Sequence, residues 1–276
     1  VRLSLAKKIL LQLAIAAGAF VMITPFLYMV STALIEYAYT IPFPPRLIPQ
    51  HPTFENFVRA WTSNNFGLYF MNSVIITASV ILGVLAVCSL MGYGFARFQF
   101  PGKEFLFRIL IFSLMVPGII YLIPAFIVLR DLLLLDKRIG VVTILVAGSV
   151  AGTTFLFRSF FEGLPKELEE AVRIDGGGRW TIYRHVVLPL SQPVMATVAI
   201  MSYLGAWDDF FWTAILIKDS TKWTLPYGIK LFQTMHTTNW SLVFAASLIA
   251  MVPSIALFIA GQKYFISGLS AGGIKG

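Results

Sequence analysis

Asp208 and Asp209 stand side by side in an otherwise apolar run, flanked by Trp207, Phe210, Phe211 and Trp212. A carboxylate in such a setting is costly unless it faces a cavity, a polar partner or water, and there it could carry a proton or hold a cation. The neighbouring rings could stack on the C–H faces of a sugar, or equally form an interfacial belt or plain core. Little else points to bond-making chemistry. His51, His185 and His236 are scattered, and no nucleophile–base pair or metal cluster is visible. The one cysteine, Cys88, excludes a disulfide framework and a cysteine-rich zinc site. No G-x-x-x-x-G-K-[ST] phosphate loop occurs, so the chain is not expected to be an ATPase.

The elements that must position these residues follow from composition. Of 276 residues, 58% are hydrophobic and 12% charged, about half the ~25% charge of an ordinary soluble domain. Mean hydropathy is +0.81. A disordered chain, a collagen-like chain and a soluble enzyme are excluded. A bilayer core of about 30 Å needs about 20 apolar residues of helix. Six runs meet that need, at about 9–32, 71–94, 109–129, 139–157, 194–216 and 241–261. The reading is an all-α polytopic membrane protein forming a single transmembrane domain over residues 1–276, because a membrane barrel would show short alternating segments. Lys7 and Lys8 precede the first run, which is too long for a cleaved signal and reads as an anchor.

Charge distribution sets the expected orientation. The net charge is +8, and placing the N-terminus in the cytoplasm puts 13 of the 21 Lys and Arg inside, with eight outside. That bias predicts both termini cytoplasmic. Two outer loops follow, 33–70 with a proline-rich stretch and 218–240 with Trp223, Tyr227, His236 and Trp240. The polar loop 158–191 then lies inside. It holds ten of the 34 charged residues, counted from Arg158 to Arg184.

That loop has explicit helix punctuation. Pro165 suits a first turn, and Glu167, Glu169 and Glu170 sit where the helix dipole favours negative charge. Leu168, Ala171 and Val172 form a small apolar face, and Gly176, Gly177 and Gly178 end the helix. A second short helix, 179–187, presents Trp180, Tyr183 and Val187 before Leu188-Pro189. Those faces either pack on the chain's own helix ends or dock a partner. Gly148 and Gly152 form a G-x-x-x-G pattern that permits close helix contact.

Glu170-Ala171-Val172, three residues, Gly176, nine residues, then Val186-Val187-Leu188-Pro189 resembles the EAA loop of ABC-importer permeases. Val172 stands for the second alanine and Val186 for an isoleucine. Asn72-Ser73, Gly92-Tyr93-Gly94-Phe95-Ala96-Arg97-Phe98, Trp207-Asp208-Asp209-Phe210 and the end from Phe265 to Gly276 are similar to the shorter six-span subunit of maltose-transporter-type sugar importers. That family usually has Asn where Asp208 stands.

The resemblance implies a membrane permease subunit of the prokaryotic plasma (inner) membrane, importing an oligosaccharide by alternating access. It implies that Leu168, Glu170, Ala171, Val172, Asp175, Gly176 and Gly177 dock into a cytoplasmic ATPase subunit. Within the tail 266–276, Ser270, Ala271, Gly272, Gly273, Ile274, Lys275 and Gly276 would enter the ATPase dimer. Residues 218–240 would meet a solute-binding protein. Implied partners are a second homologous permease subunit, two ATPase subunits, that binding protein, the sugar and the lipid bilayer, with no nucleic acid. ATP and magnesium would be held by the ATPase subunits, and no cofactor by this chain. A permease for another solute such as glycerol phosphate, and an ion-coupled carrier acting through Asp208 and Asp209, are the alternatives.

Overall fold

The computed structural model describes residues 4–36, 47–233 and 238–273, with 262–273 as backbone only. Among the described residues the fold is helical, and its one β pairing is an isolated bridge between Gln233 and Thr238. The helices are α1 (Leu5–Ala33), α2 (Glu55–Thr62), α3 (Phe66–Arg97), α4 (Lys103–Phe112), α5 (Leu122–Asp131) and α6 (Arg138–Glu162). They continue with α7 (Glu167–Ile174), α8 (Arg179–Leu190), α9 (Gln192–Trp207), α10 (Phe211–Leu216), α11 (Leu225–Lys230) and α12 (Trp240–Gly273).

Four helices, α1, α3, α6 and α12, are long and apolar enough to cross a bilayer individually. Two further pairs pass the same test as bent units, Lys103–Met115 with Gly118–Asp131 at 101° and Arg179–Leu190 with Gln192–Trp207 at 76°. The first bend falls at Val116-Pro117, where proline cannot donate to the helical ladder and short, tighter helical turns take over at Ser113–Met115 and Gly118–Tyr121. The second falls at Ser191, ahead of Pro193 in the first turn of α9. The apolar run 109–129 is therefore two segments, and the run 194–216 breaks after Trp207.

The chain falls into two compact units, Val1–Gly67 with Tyr227–Val252, and Leu68–Pro226 with Pro253–Gly276. In the first, α1 is apolar on every side and its most apolar window has no buried residue, which suits a helix solvated by lipid. Its C-terminal carbonyls are tied down by Asn56 of α2, whose Nδ2 donates to Ala33 O at 2.8 Å and Ile35 O at 2.7 Å. Phe66 is fully buried between Trp61 and Phe232.

The second unit is built on α3. Ile76, Val80, Val84 and Cys88 lie along one stripe of it and pack with Val141 and Phe157 of α6 and Val198 of α9. Lipid tails are as apolar as these side chains, so close packing rather than escape from water holds such helices together. Gly92 shows how close: a Cβ there would lie 2.5 Å from Phe157 Cβ and 3.1 Å from Arg158 N. The G-x-x-x-G pair behaves otherwise. Nothing lies within 4 Å of a Cβ at Gly148, and at Gly152 the nearest atom is Leu114 Cδ2 at 3.9 Å. Gly92, unremarked as a packing residue in the sequence, makes a tight crossing of α3 on α6.

Candidate functional site

Helix α7 is short and sharply two-sided. Glu169 is buried and Val172 half-buried, three residues apart on one face, whereas Leu168, Glu170, Ala171 and Asp175 are exposed. Glu169 forms an ion pair with Arg97, the last residue of α3, and only 6% and 7% of the Arg97 and Glu169 side chains are exposed. Arg97 Nη2 also donates to Leu164 O at 2.9 Å, just before Pro165. Glu170 has no ion pair among the described residues, so its charge faces outward.

The turn after α7 is made by Gly176 at φ +81°, a conformation that costs an L-residue about 1–2 kcal/mol. Gly177 fits against Val172, leaving no room for a Cβ beside Val172 Cγ1. Helix α8 then buries Ile182, Tyr183 and Val187 and carries a π turn over Tyr183–Val187. The Tyr183 hydroxyl lies 2.7 Å from Ser89 Oγ of α3. Trp180 stays 63% exposed, its ring 5.3 Å from that of Tyr183. The two loop helices thus hold α3 with one face and leave Leu168, Ala171, Ile174 and Trp180 open on the other.

The segment 218–225 is as firmly held. Asn72 Nδ2 donates to Thr221 O and Trp223 O, both at 2.9 Å, and Ser73 Oγ accepts from Leu225 N at 2.8 Å. Asp136, between α5 and α6, accepts from Lys218 N at 3.0 Å and Asp219 N at 2.9 Å. Lys222 Nζ donates to Asp136 O at 2.9 Å and pairs with Asp219 at 3.0 Å. The Asp219 and Lys218 N–H groups hold the Asp136 carboxyl below its ordinary range. The Thr221 hydroxyl and N–H, with Lys222, draw Asp219 down to about 2, and Asp219 in turn raises the Lys222 ammonium. Trp223 is half-buried, with its ring 6.2 Å from Tyr69. Tyr227 is half-buried, Trp240 opens α12 with its ring 5.7 Å from Phe244, and His236 lies outside the described residues.

The aromatic–carboxylate cluster is split between interior and surface. Trp207 is buried, stacked on Tyr203 at 5.5 Å and edge-on to Phe70 at 5.7 Å. Asp208, Phe210 and Phe211 are exposed and Trp212 is half-buried. Asp209 is committed to the backbone. One oxygen accepts from Trp212 N at 3.2 Å, and the other from Thr213 N at 3.1 Å and Thr213 Oγ1 at 3.2 Å, closing the first turn of α10. In the C-terminal tail, Ser270, Ala271, Gly272 and Gly273 continue the helical backbone of α12, and Ile274, Lys275 and Gly276 lie outside the described residues.

Arg97, Glu169, Asn72, Ser73 and Asp136 carry the geometry of these two regions, yet only Asn72, Ser73 and Arg97 stood in a notable motif. A carboxylate beside a Glu in an acidic helix gives no local sign that it is the buried one. Its partner lies 72 positions away.

The arrangement defines a helical protein with several membrane-spanning segments, whose polar loop presents an open helix face. The chain belongs to the family described as the binding-protein-dependent transport system inner membrane component, which matches residues 88–270. It is 34% identical over 230 residues to the diacetylchitobiose uptake system permease protein NgcG of Streptomyces coelicolor, covering 83% of this chain and 76% of that one. It is also 34% identical over 276 residues to the arabinooligosaccharides transport system permease protein AraQ of Halalkalibacterium halodurans, with 97% and 96% covered. The sn-glycerol-3-phosphate transport system permease protein UgpE of Yersinia enterocolitica is 30% identical over 260 residues, with 91% and 92% covered. Among solved structures, a chain of a bacterial ABC transporter importing the acidic polysaccharide alginate has the same fold, with a TM-score of 0.84 at 23% identity over 96% of this chain and 99% of that one. The protein is a permease subunit of an ABC importer, resident in the inner membrane.

Proposed function

We propose that the chain passes an oligosaccharide, delivered by an extracytoplasmic solute-binding protein, across the inner membrane by alternating access, driven by ATP hydrolysed on partner subunits. The observation that carries the coupling step is the two-sided α7: a face fixed to α3 through Glu169 and a free face of Leu168, Ala171 and Asp175 beside Glu170. Small residues permit a close approach, a carboxylate can meet basic groups, and a short rigid helix transmits displacement. The sugar assignment is supported by NgcG and AraQ, whose names specify oligosaccharides.

A second homologous permease subunit completes the membrane core, and two ATPase subunits hold ATP and magnesium; this chain binds no cofactor. Both termini face the cytoplasm, the 158–191 loop meets the ATPase and the tail from Ser270 enters the ATPase dimer. The 218–240 loop meets the binding protein, and Trp207, Asp208, Asp209, Phe210, Phe211 and Trp212 contribute to the substrate path.

Replacing Gly176 with leucine forces a β-carbon into a positive-φ turn and should abolish uptake and coupled ATP hydrolysis while the chain still inserts; unchanged uptake would sink the assignment. Similarity to UgpE supports a second solute, glycerol phosphate. A ligand screen on the solute-binding protein that restores uptake with this chain separates the two. An ion-coupled carrier is disfavoured because Asp209 is engaged in holding α10. Uptake by this chain reconstituted without an ATPase would reinstate it.

A further inference from the structure

The structure assigns Arg97 and Glu169 as positioning residues that transmit motion: their buried ion pair couples α7 to α3, so that displacement of the loop helix is delivered to a membrane helix instead of being absorbed in the loop. The inference rests on the reading of α7 as the coupling helix, and goes further by naming the element that receives its movement.

The carrying observations all converge on the last turns of α3. Arg97 ends that helix, and both side chains of the pair are excluded from water, at 6% and 7% exposure. Arg97 Nη2 also holds Leu164 O at 2.9 Å, which fixes the chain as it enters α7. Five residues earlier Gly92 allows α3 to touch α6, with no room for a Cβ against Phe157. Between them Tyr93 is buried with its ring 5.2 Å from Tyr183 of α8 and 6.4 Å from Phe161 of α6. Ser89 completes the contact with Tyr183. The end of α3 is thus gripped by α6, α7 and α8 through side chains, whereas the outer face of α7 is open.

A buried pair is poor evidence for added stability, because removing its charges from water offsets much of their attraction. It joins two helices directly through side chains that water does not reach, however, which suits transmission. Removing one partner leaves an uncompensated buried charge, whereas removing both charges leaves a neutral contact.

This asymmetry supplies the test. The complete importer, with both permeases, both ATPase subunits and the binding protein, is reconstituted in proteoliposomes. Solute transported per ATP hydrolysed is measured and normalised to assembled complex. Arg97→Gln and Glu169→Gln singly should lower both assembly and this ratio. The double variant Arg97→Gln/Glu169→Gln should restore assembly but still show a ratio at least about fivefold below wild type, the lower end of typical site-to-site coupling. The exchange Arg97→Glu/Glu169→Arg should recover part of the ratio. A double glutamine variant that transports at the wild-type ratio overturns the assignment and makes the pair merely structural.

A control on the outer face, Ala171→Asp, should prevent co-purification of the ATPase subunits. If that variant keeps its ATPase and transports normally, the coupling-helix reading itself fails, whatever the ion pair does.

Discussion

At Asp209 both carboxylate oxygens find N–H donors one turn ahead, at Trp212 and Thr213, and the side chain is thereby part of the backbone's own hydrogen bonding. Truncating a capping acceptor typically costs about 0.5–2 kcal/mol, and an amide oxygen can replace one of the two acceptors. Asp209→Ala should therefore lower the thermal stability of the purified complex by that amount, with Asp209→Asn falling between. Uptake by the Asp209→Asn protein should keep the wild-type dependence on external pH; a lost proton dependence would instead mark Asp209 as a transport carboxylate. Its neighbour Asp208 is exposed and makes no such contact among the described residues. The sequence presented the two as equals, since adjacency and composition do not reveal which carboxylate faces an incipient helix. The same blindness applied to Glu169 and Glu170. The motif spacing named Glu170, and the buried charge proved to be its neighbour.

Helices and loops show the same division between what is locally encoded and what is not. Helix α7 was legible because proline, three glutamates and a glycine run punctuate eight residues that need no distant partner to be recognised. The bend between α4 and α5 had a signal, Pro117-Gly118, but apolar composition alone read through it, because proline in a membrane helix can either kink or break it. The helix crossing at Gly92 was hidden among many glycines. Gly92→Ala should cost about 1–3 kcal/mol, as overpacking does, and reduce assembled complex on native gels. Gly148→Ala, which meets nothing within 4 Å, should leave the stability of this chain within about 0.5 kcal/mol.

The 218–225 segment yields a pH prediction. The folded pKa of Asp219, about 2, lies below its unfolded value, so its contribution is complete above that unfolded value and is lost as pH falls through about 2. Lys222, raised by Asp219, contributes below the ordinary lysine value and is lost above its raised one. Trp223 emission, taken as the difference from a Trp223→Phe protein, should be flat from about pH 5 to about pH 9 and change in strong acid.

For the whole molecule, orientation can be read with a single native thiol out of the way. Cys88 is fully buried, so the native chain should resist a membrane-impermeant maleimide until it is unfolded. Ser220→Cys should then label in intact cells stripped of any outer barrier, and Asp175→Cys only after permeabilisation; the reverse pattern would invert the proposed topology. The interrupted helix at Pro117 bears on the fate of the chain when it is made in excess. Around that break the regular ladder gives way to short turns, and Met115, Ile119 and Ile120 are 75%, 67% and 63% exposed. Irregular backbone facing lipid is not tolerated at membrane depth unless protein or a water-filled cavity adjoins it. If the proposed second permease subunit covers that break, the subunit synthesised alone should be a substrate for membrane quality-control proteases, with a shorter pulse-chase lifetime than when the two are made together. An unmatched copy would then carry its own degradation signal in the uncovered break, and cells would need no separate device to keep the subunits in balance.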